Sequence, residues 1–295
     1  MLLSQVTTLQ IGGPAKDFKV VKSEAELRQI NAPYLLIGGG SNLLVSDNGI
    51  NQLVVKNEIT GIEQTGNILK VKSGTNLQNL INYSIEHGLS GLQKLTGIPG
   101  TVGGAVYGNA GAYGQTINDY LTEVVAYDGE KNITLSKDQC DFKYRDSGFK
   151  RNHHAILEVI FHLENGDPGT LQQEAEDVLS KRLVKYPKGI KCPGSFFKNI
   201  VANTLPKEIL DKIPPEKILF GKLPAGALLE MVGAKGDSSD GIYIADYHAN
   251  LFINKGGGTA DAFYNLAKKY SQLVKEKFGI TLEPEVQLIN LPSLN

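Results

Sequence analysis

Apolar and polar positions alternate in short runs through the first half of the chain, which is the pattern of half-buried strands. KDFKVVKS (16–23), PYLLIGGG (33–40), NQLVVKN (51–57) and NILKVKSG (67–74) read as strands, with SDNG (46–49) a turn. Two helices interrupt them. SEAELRQI has Ser23 as N-cap and Glu26 three residues on, a capping-box spacing. TNLQNLINYSIEHG (75–88) puts Leu77, Leu80, Ile81 and Ile85 on one face, with Thr75 as cap and Gly88 as stop. LTEVVAYDGEKNITLS (121–136) predicts a hairpin turning at Asp128-Gly129. HAILEVIFHLE (154–164) is a strand with Ile156, Glu158, Ile160 and His162 on one side and Leu157, Val159, Phe161 and Leu163 on the other.

The period then lengthens. Residues 168–186 predict a helix with Leu171, Ala175, Val178, Leu179 and Leu183 on one face, closed by Pro187 and Gly189. KGIKCPG reads as a domain junction. Beyond it, SFFKNI is a strand candidate and PAGALLEMVG (224–233) a short helix with Pro224 near its start. HANLFINK (248–255) predicts a strand. TADAFYNLAKKYSQLVKEKFG (259–279) predicts a long helix between Thr259 and Gly279, and LEPEVQLI (282–289) a terminal strand.

Composition narrows the class. A chain of 295 residues suggests two domains, and 41% apolar with 21% charged residues is a globular balance. A net charge of −1 without a basic stripe argues against nucleic acid, and no apolar run is long enough to span a bilayer. The start, MLLSQVTTLQIGG, lacks the layout of a signal peptide, and Cys140 and Cys192 form no CxxC pair. A cytoplasmic protein without a disulfide scaffold or metal site is expected. The histidines form no ligand pair at helical spacing, and His153-His154 reads as a surface feature.

Two glycine-rich stretches carry the candidate chemistry. IGGGSNLLVSD (37–47) follows a strand, but the third position of a dinucleotide fingerprint holds Leu43, and a turn arrives before any helix. Gly221-Lys222 is followed by leucine, so no phosphate-binding loop of the Walker type is present. What remains is a tight turn, or a nest of backbone N–H groups with Ser41 and Asn42 as further donors. GIPGTVGGAVYGNAGAYG (97–114) is no slack linker, because Ile98, Val102, Val106, Tyr107 and Tyr113 call for burial. Its glycines permit either a packed crossing of strand and loop or a backbone cradle for a long phosphate-bearing cofactor.

Eight segments in order resemble the UDP-N-acetylenolpyruvoylglucosamine reductase family, the MurB-type flavoenzymes. They are TTLQIGGPA (7–15), IGGGSNLLVSD (37–47), residues 88–114, YRDSGFK (144–150), GSFFKN (194–199), PAGALLEMVGAKG (224–236), HANLFIN (248–254) and LEPEV (282–286). The resemblance implies an α+β chain. Residues 1–187 would be an FAD-binding domain of the vanillyl-alcohol-oxidase type, made of two α/β subdomains. Its first subdomain would be completed by the C-terminal strand 284–295, and 188–283 would be a smaller α+β substrate domain. FAD would lie on Gly38, Gly39, Gly40, Ser41, Asn42, Gly97, Pro99, Gly100, Thr101, Gly103, Gly104, Asn109, Gly111 and Ala112. Amides near Gly100–Gly104 would face it, so that Gly103→Val costs FAD before it costs the fold.

The resemblance also implies the reaction. NADPH reduces the flavin, which then reduces an enolpyruvyl ether to a lactyl ether, giving UDP-N-acetylmuramate for peptidoglycan. Adding hydride to C3 pushes charge into the conjugated carboxylate, and a group that holds that charge is needed. Arg145, whose planar fork suits a carboxylate, and Glu285 match the family's catalytic arginine and glutamate. Ser195 matches the serine that protonates C2. On the residues alone, Arg145 could instead pair with Asp141 or Asp146, Glu285 could face solvent, and Glu283 is its near double. Tyr144, Lys185 and Asn199 match substrate-contacting positions.

Ile200 stands where many relatives have proline, and Gln287 where many have arginine. The short span from Ser147 to Lys185 points to the subclass without a tyrosine-bearing lid loop. A monomer is expected, with the nucleotide-sugar as partner and neither nucleic acid nor membrane. The rival readings are an FAD-dependent oxidase of sugars or lactones on the same scaffold, and a non-catalytic flavin or nucleotide-sugar binder. Neither needs YRDS, GSFFK and EPEV together.

Overall fold

The structure, a computed structural model, describes residues 1–294. The chain divides into two compact units: residues 17–39 with 52–187, and residues 1–16 with 40–51 and 188–295. The contacts divide the chain between Pro187 and Lys188 as well as near residues 16, 39 and 51. Residues 1–16 and 40–51, expected with the N-terminal domain, pack instead with the C-terminal residues. Leu9, Ile11 and Leu44 supply the reason, because their apolar side chains enter the core built by Phe196, Phe252 and Phe263.

The unit holding 17–39 and 52–187 contains two sheets. Ala15–Val21, Ile50–Asn57 and Tyr34–Ile37 form one in that spatial order, with the last two parallel. The other is antiparallel, in the order Asn132–Ser136, Leu121–Tyr127, Ala155–His162, Ile68–Lys72, Ile62–Thr65. Ala155–His162 is central and buried on both faces, which explains its apolar run interrupted only by Glu158. The hairpin turns at Asp128 as read, its carboxylate accepting from the amides of Glu130 and Lys131.

Five helices belong to this unit: α1 (Glu24–Arg28), α2 (Leu77–Glu86), α3 (Val102–Tyr107), α4 (Phe149–Asn152) and α5 (Pro168–Lys185). Ser23 caps α1, and Glu26 reaches back to the Lys22 amide. α2 buries Leu77, Leu80, Ile81 and Ile85, but its cap is Asn76, not Thr75. The Thr75 hydroxyl is drawn away by Gly61, bonding both its N–H and its C=O. α5 buries Leu171, Ala175 and Val178, whereas Leu179 is exposed and Leu183 half-exposed. The apolar face ends before the helix does.

The other unit holds α6 (Lys207–Leu210), α7 (Ala225–Met231) and α8 (Ala260–Phe278). α8 is framed as its sequence requires: Thr259 accepts from the Ala262 amide, and Gly279 adopts φ 75°. Its buried stripe, Phe263, Leu266, Ala267, Tyr270, Val274 and Phe278, completes the core. There Phe196 packs against Phe197, Phe252 and Phe263 at 4.8, 5.5 and 5.1 Å between ring centroids. The terminal strand is Gln287–Ile289, parallel to Leu43–Val45. The strand expected at 248–255 is only Phe252–Asn254, and SFFKNI forms isolated bridges at Ser195 and Phe197, with only Ile200 entering a two-residue strand. Among the described residues no helix is long and apolar enough to cross a membrane.

Candidate functional site

Glycine decides the geometry where two backbones meet in the unit of residues 17–39 and 52–187. A Cβ on Gly39 would lie 2.8 Å from the Gly100 Cα, and one on Gly38 2.3 Å from the Thr101 Oγ1. Only bare backbone permits this approach. Among the described residues, the amides of Gly39, Gly100 and Thr101 have no protein acceptor. The Asn109 Oδ1 atom is buried and also lacks a partner, while its Nδ2 group donates to the Lys143 carbonyl at 2.8 Å. The Asn109 Oδ1, being buried, needs a polar partner, and the accessible amides of Gly39, Gly100 and Thr101 are donors that a cofactor with a pyrophosphate could use.

Segment 97–114 is a close packed crossing of backbones, the first of the two things its sequence allowed. Its middle is the short helix α3, which the glycines hide from propensity. Thr101 caps it by accepting from the Gly104 amide, and the Val102 and Gly103 amides donate to the Thr75 and Ser73 carbonyls at 2.9 and 2.8 Å. This corrects the expectation for 100–104: the amides of 102–104 are spent inside the protein, and only those of Gly100 and Thr101 remain. Pro99 and Gly104 are exposed. Gly97 adopts φ 79°, its amide held by the Gln78 side chain at 2.8 Å. Gly111 and Ala112 pair with Gln115 and Thr116 in a small hairpin.

Arg145 is brought to this segment. Its guanidinium donates to the Gly111 carbonyl at 2.6 Å and to the Asn109 carbonyl at 3.4 Å, and lies 5.3 Å from the Tyr144 ring centre. Its backbone has φ 55°, and Asn109 and Tyr113 also have positive φ. Conformations of this kind in non-glycine residues gather at functional sites. The acidic neighbours proposed for Arg145 are engaged by Arg151, which pairs with Asp141 at 2.6 Å and with Asp146 at 2.5 Å.

Arg182 was not singled out in the sequence. Its Nε is buried without a partner, 3.1 Å from where a Gly97 Cβ would lie. Burial lowers its pKa, and the Arg145 charge adds to that. The signal was its place on the same helix face as Val178 and Leu179. Lys185, one turn from it, has its ammonium 5.2 Å from the Tyr186 ring centre.

In the other unit, the GSFFKN segment lies between two others. Ser195 bridges to Leu251, the Phe196 amide donates to the Asn250 carbonyl, and the Glu285 amide donates to the Phe196 carbonyl at 2.7 Å. Buried Asn250 fixes the register, its side chain accepting from the Phe197 amide and donating to the Phe197 carbonyl, both at 2.8 Å. Ser195 and Glu285 are thus held on adjacent backbone and are both half-buried. Glu283 is separated from its double: it is exposed and pairs with Lys198 at 3.3 Å.

Asn199 accepts from the Ala225 amide at 3.1 Å, capping α7 with one end of its amide. Gly40 adopts φ 64° and would put a Cβ 1.9 Å from the Val6 carbonyl oxygen, so local packing requires it. The Ser41 carbonyl accepts from the Thr8 hydroxyl at 3.4 Å. Asn42 donates to the Glu285 carbonyl at 3.0 Å.

Comparison with known proteins accounts for both units. Residues 14–131 match the FAD binding domain family, and 186–289 match the UDP-N-acetylenolpyruvoylglucosamine reductase C-terminal domain family. The chain is 39% identical to the UDP-N-acetylenolpyruvoylglucosamine reductase of Solibacter usitatus, covering 97% of this chain and 95% of that one. It is 34% identical to reductase 2 of the same name from Bacillus cereus, over 98% and 91%. The crystal structure of the Thermus caldophilus reductase (MurB) superposes with a TM-score of 0.80 at 30% identity, covering 98% and 97%. With its glycine-lined backbone contact and its paired Ser195 and Glu285 segments, the chain belongs to the UDP-N-acetylenolpyruvoylglucosamine reductase family.

Proposed function

We propose that the protein is a cytoplasmic, monomeric, NADPH-dependent flavoenzyme that reduces UDP-N-acetylenolpyruvoylglucosamine to UDP-N-acetylmuramate. FAD would be held by Gly38, Gly39, Gly100, Thr101 and Asn109, and when reduced by NADPH it supplies the hydride for C3 of the enolpyruvyl group. The chain's own residues manage the charge and the proton. Arg145, its guanidinium positioned by the Gly111 and Asn109 carbonyls, faces the substrate carboxylate as negative charge develops there. Arg182 adds a second cation, and a buried cation without an acidic neighbour is stabilised by an anionic ligand. Glu285 supports the same charge, and the Ser195 hydroxyl gives its proton to C2, a centre basic enough to take it. Tyr144, Lys185 and the free end of the Asn199 amide contact the nucleotide-sugar.

The observation that carries this reading is the 2.7 Å bond from the Glu285 amide to the Phe196 carbonyl, which keeps an acid and a hydroxyl in fixed register. The test separates the half-reactions under anaerobic conditions. NADPH should bleach the bound flavin, and the enolpyruvyl nucleotide-sugar should restore its colour. Ser195→Ala should keep the first step and slow the second about 100-fold or more. Bleaching with recovery only on admitting oxygen would point to an oxidase, and equal loss of both steps would remove Ser195 from the proton-donor role.

A further inference from the structure

Asn42 ends a glycine run, and a donor at that place invites a role in holding phosphate. Its side chain is committed elsewhere. The Nδ2 group donates to the Glu285 carbonyl at 3.0 Å, while the Asn42 carbonyl accepts from the Gln287 amide at 2.9 Å. One residue therefore brackets the peptide units on either side of Val286. Glu285 is gripped from the opposite direction as well, because its amide donates to the Phe196 carbonyl at 2.7 Å. Asn42 is itself immobile. Gly40 is locked against Val6, and its carbonyl accepts from the Thr8 amide at 3.1 Å. The strand Leu43–Val45 runs on in register with Gln287–Ile289.

The regular ladder begins only at Gln287, and the Val286 amide reaches the Phe196 carbonyl at 3.5 Å, so backbone pairing holds the Glu285–Val286 peptide weakly and from its N–H side alone. The Asn42 amide grips that peptide from its carbonyl side, at 3.0 Å. We propose that Asn42 is a positioning residue for Glu285: its side chain sets the orientation of the Glu285 peptide, and hence of the carboxyl, rather than binding the cofactor. The inference rests on the catalytic role of Glu285 in the reading above.

The holoenzyme tests it with Asn42→Ala, which deletes the donor, and Asn42→Asp, which keeps the shape but sets an acceptor against a carbonyl. Both variants should bind FAD within about twofold of the parent, measured by flavin fluorescence, and be reduced by NADPH within about twofold. Flavin reoxidation by the enolpyruvyl nucleotide-sugar should slow about 10- to 100-fold, as expected when a catalytic group is displaced by a fraction of an ångström. Asn42→Asp should regain rate, relative to the parent, as pH falls and its protonated carboxyl donates to the Glu285 carbonyl again. A merely structural side chain would show no such recovery.

A tenfold loss of FAD affinity in Asn42→Ala would overturn the proposal and make Asn42 a cofactor ligand. So would a folded Asn42→Ala with an unchanged reoxidation rate. Glu285→Gln separates the two claims. If it reoxidises normally, the role of Glu285 fails; if it is slow while both Asn42 variants are normal, only the positioning role fails.

Discussion

Gly103→Ala puts a methyl group into one of the tightest places in the protein. The new Cβ would lie 2.8 Å from the Ser73 Cβ and 3.1 Å from the Ser73 carbonyl oxygen, which already accepts from the Gly103 amide at 2.8 Å. Ser73 cannot retreat freely. It is 1% exposed, its hydroxyl donates to the Ile156 carbonyl at 2.6 Å, and it accepts from the Asn57 side chain at 2.8 Å. Overpacking of this kind costs about 1–3 kcal/mol, and stretching either hydrogen bond adds about 1 kcal/mol. Alanine returns up to about 1 kcal/mol through helix propensity. The net expectation is a destabilisation of roughly 1–3 kcal/mol, larger for Gly103→Val, seen as a lower urea midpoint with or without FAD.

Gly104→Ala is the control, because its Cβ would meet only the Thr101 Oγ1 at 3.4 Å. It should be neutral or stabilising by up to about 1 kcal/mol. If Gly103→Ala matched the parent in apo stability while FAD bound tenfold more weakly, the packing argument would be wrong, and the Gly103 position would belong to the cofactor after all.

Arg182→Leu should leave the thermal midpoint unchanged or raised, since it removes a desolvated cation, yet slow flavin reoxidation at least tenfold; a large loss of stability without a kinetic effect would refute the anion-binding role. Lys72 lies 3.0 Å from Glu24 and 2.8 Å from Glu158. Burial opposes the Glu24 charge, but the Lys72 and Asn132 hydrogen bonds outweigh it and lower its pKa; burial likewise opposes the Lys72 charge, and Glu158 and Glu24 raise its pKa on balance. A lowered acid contributes stability above its unfolded value, lost as pH falls through the folded one; a raised base contributes below its unfolded value, lost as pH rises through the folded one. Lys72→Met should therefore flatten the stability profile below the ordinary carboxylate value of 4.5 and above the ordinary lysine value of 10.5, and parallel profiles for variant and parent would count against the ion-pair cluster. Asn76→Ala should cost about 1 kcal/mol through loss of the α2 cap, and an unchanged denaturation midpoint would reject that cap.

Local patterns carried the elements whose partners lie close in sequence. The α8 helix could be read from Thr259 to Gly279 because cap, stripe and stop all lie within it. The hairpin at Asp128-Gly129 was legible because the turn residues satisfy their own neighbours. The motifs of Arg145, Ser195 and Glu285 were visible as short words, and their order along the chain pointed to the family. The α3 helix was not legible: its glycines argue against helix, and it exists because the Ser73 and Thr75 carbonyls accept its first amides. Thr75 and Asn76 are both capable caps in isolation, and Gly61, distant in sequence, takes the Thr75 hydroxyl and leaves the cap to Asn76.

The same division runs through the candidate site. Sequence determined which side chains are present: a guanidinium, a hydroxyl, a carboxyl, and glycines where backbones touch. Tertiary structure decided which donors are already spent. Asn42 and Asn199 read as ligand contacts, but their amides reach the Glu285 carbonyl and the Ala225 amide. Arg182 was not singled out in the sequence, and only the fold leaves its Nε buried without a partner. A hydrogen-bonding group is available only after its neighbours in space are satisfied, and those neighbours lie as far as 243 residues away along the chain.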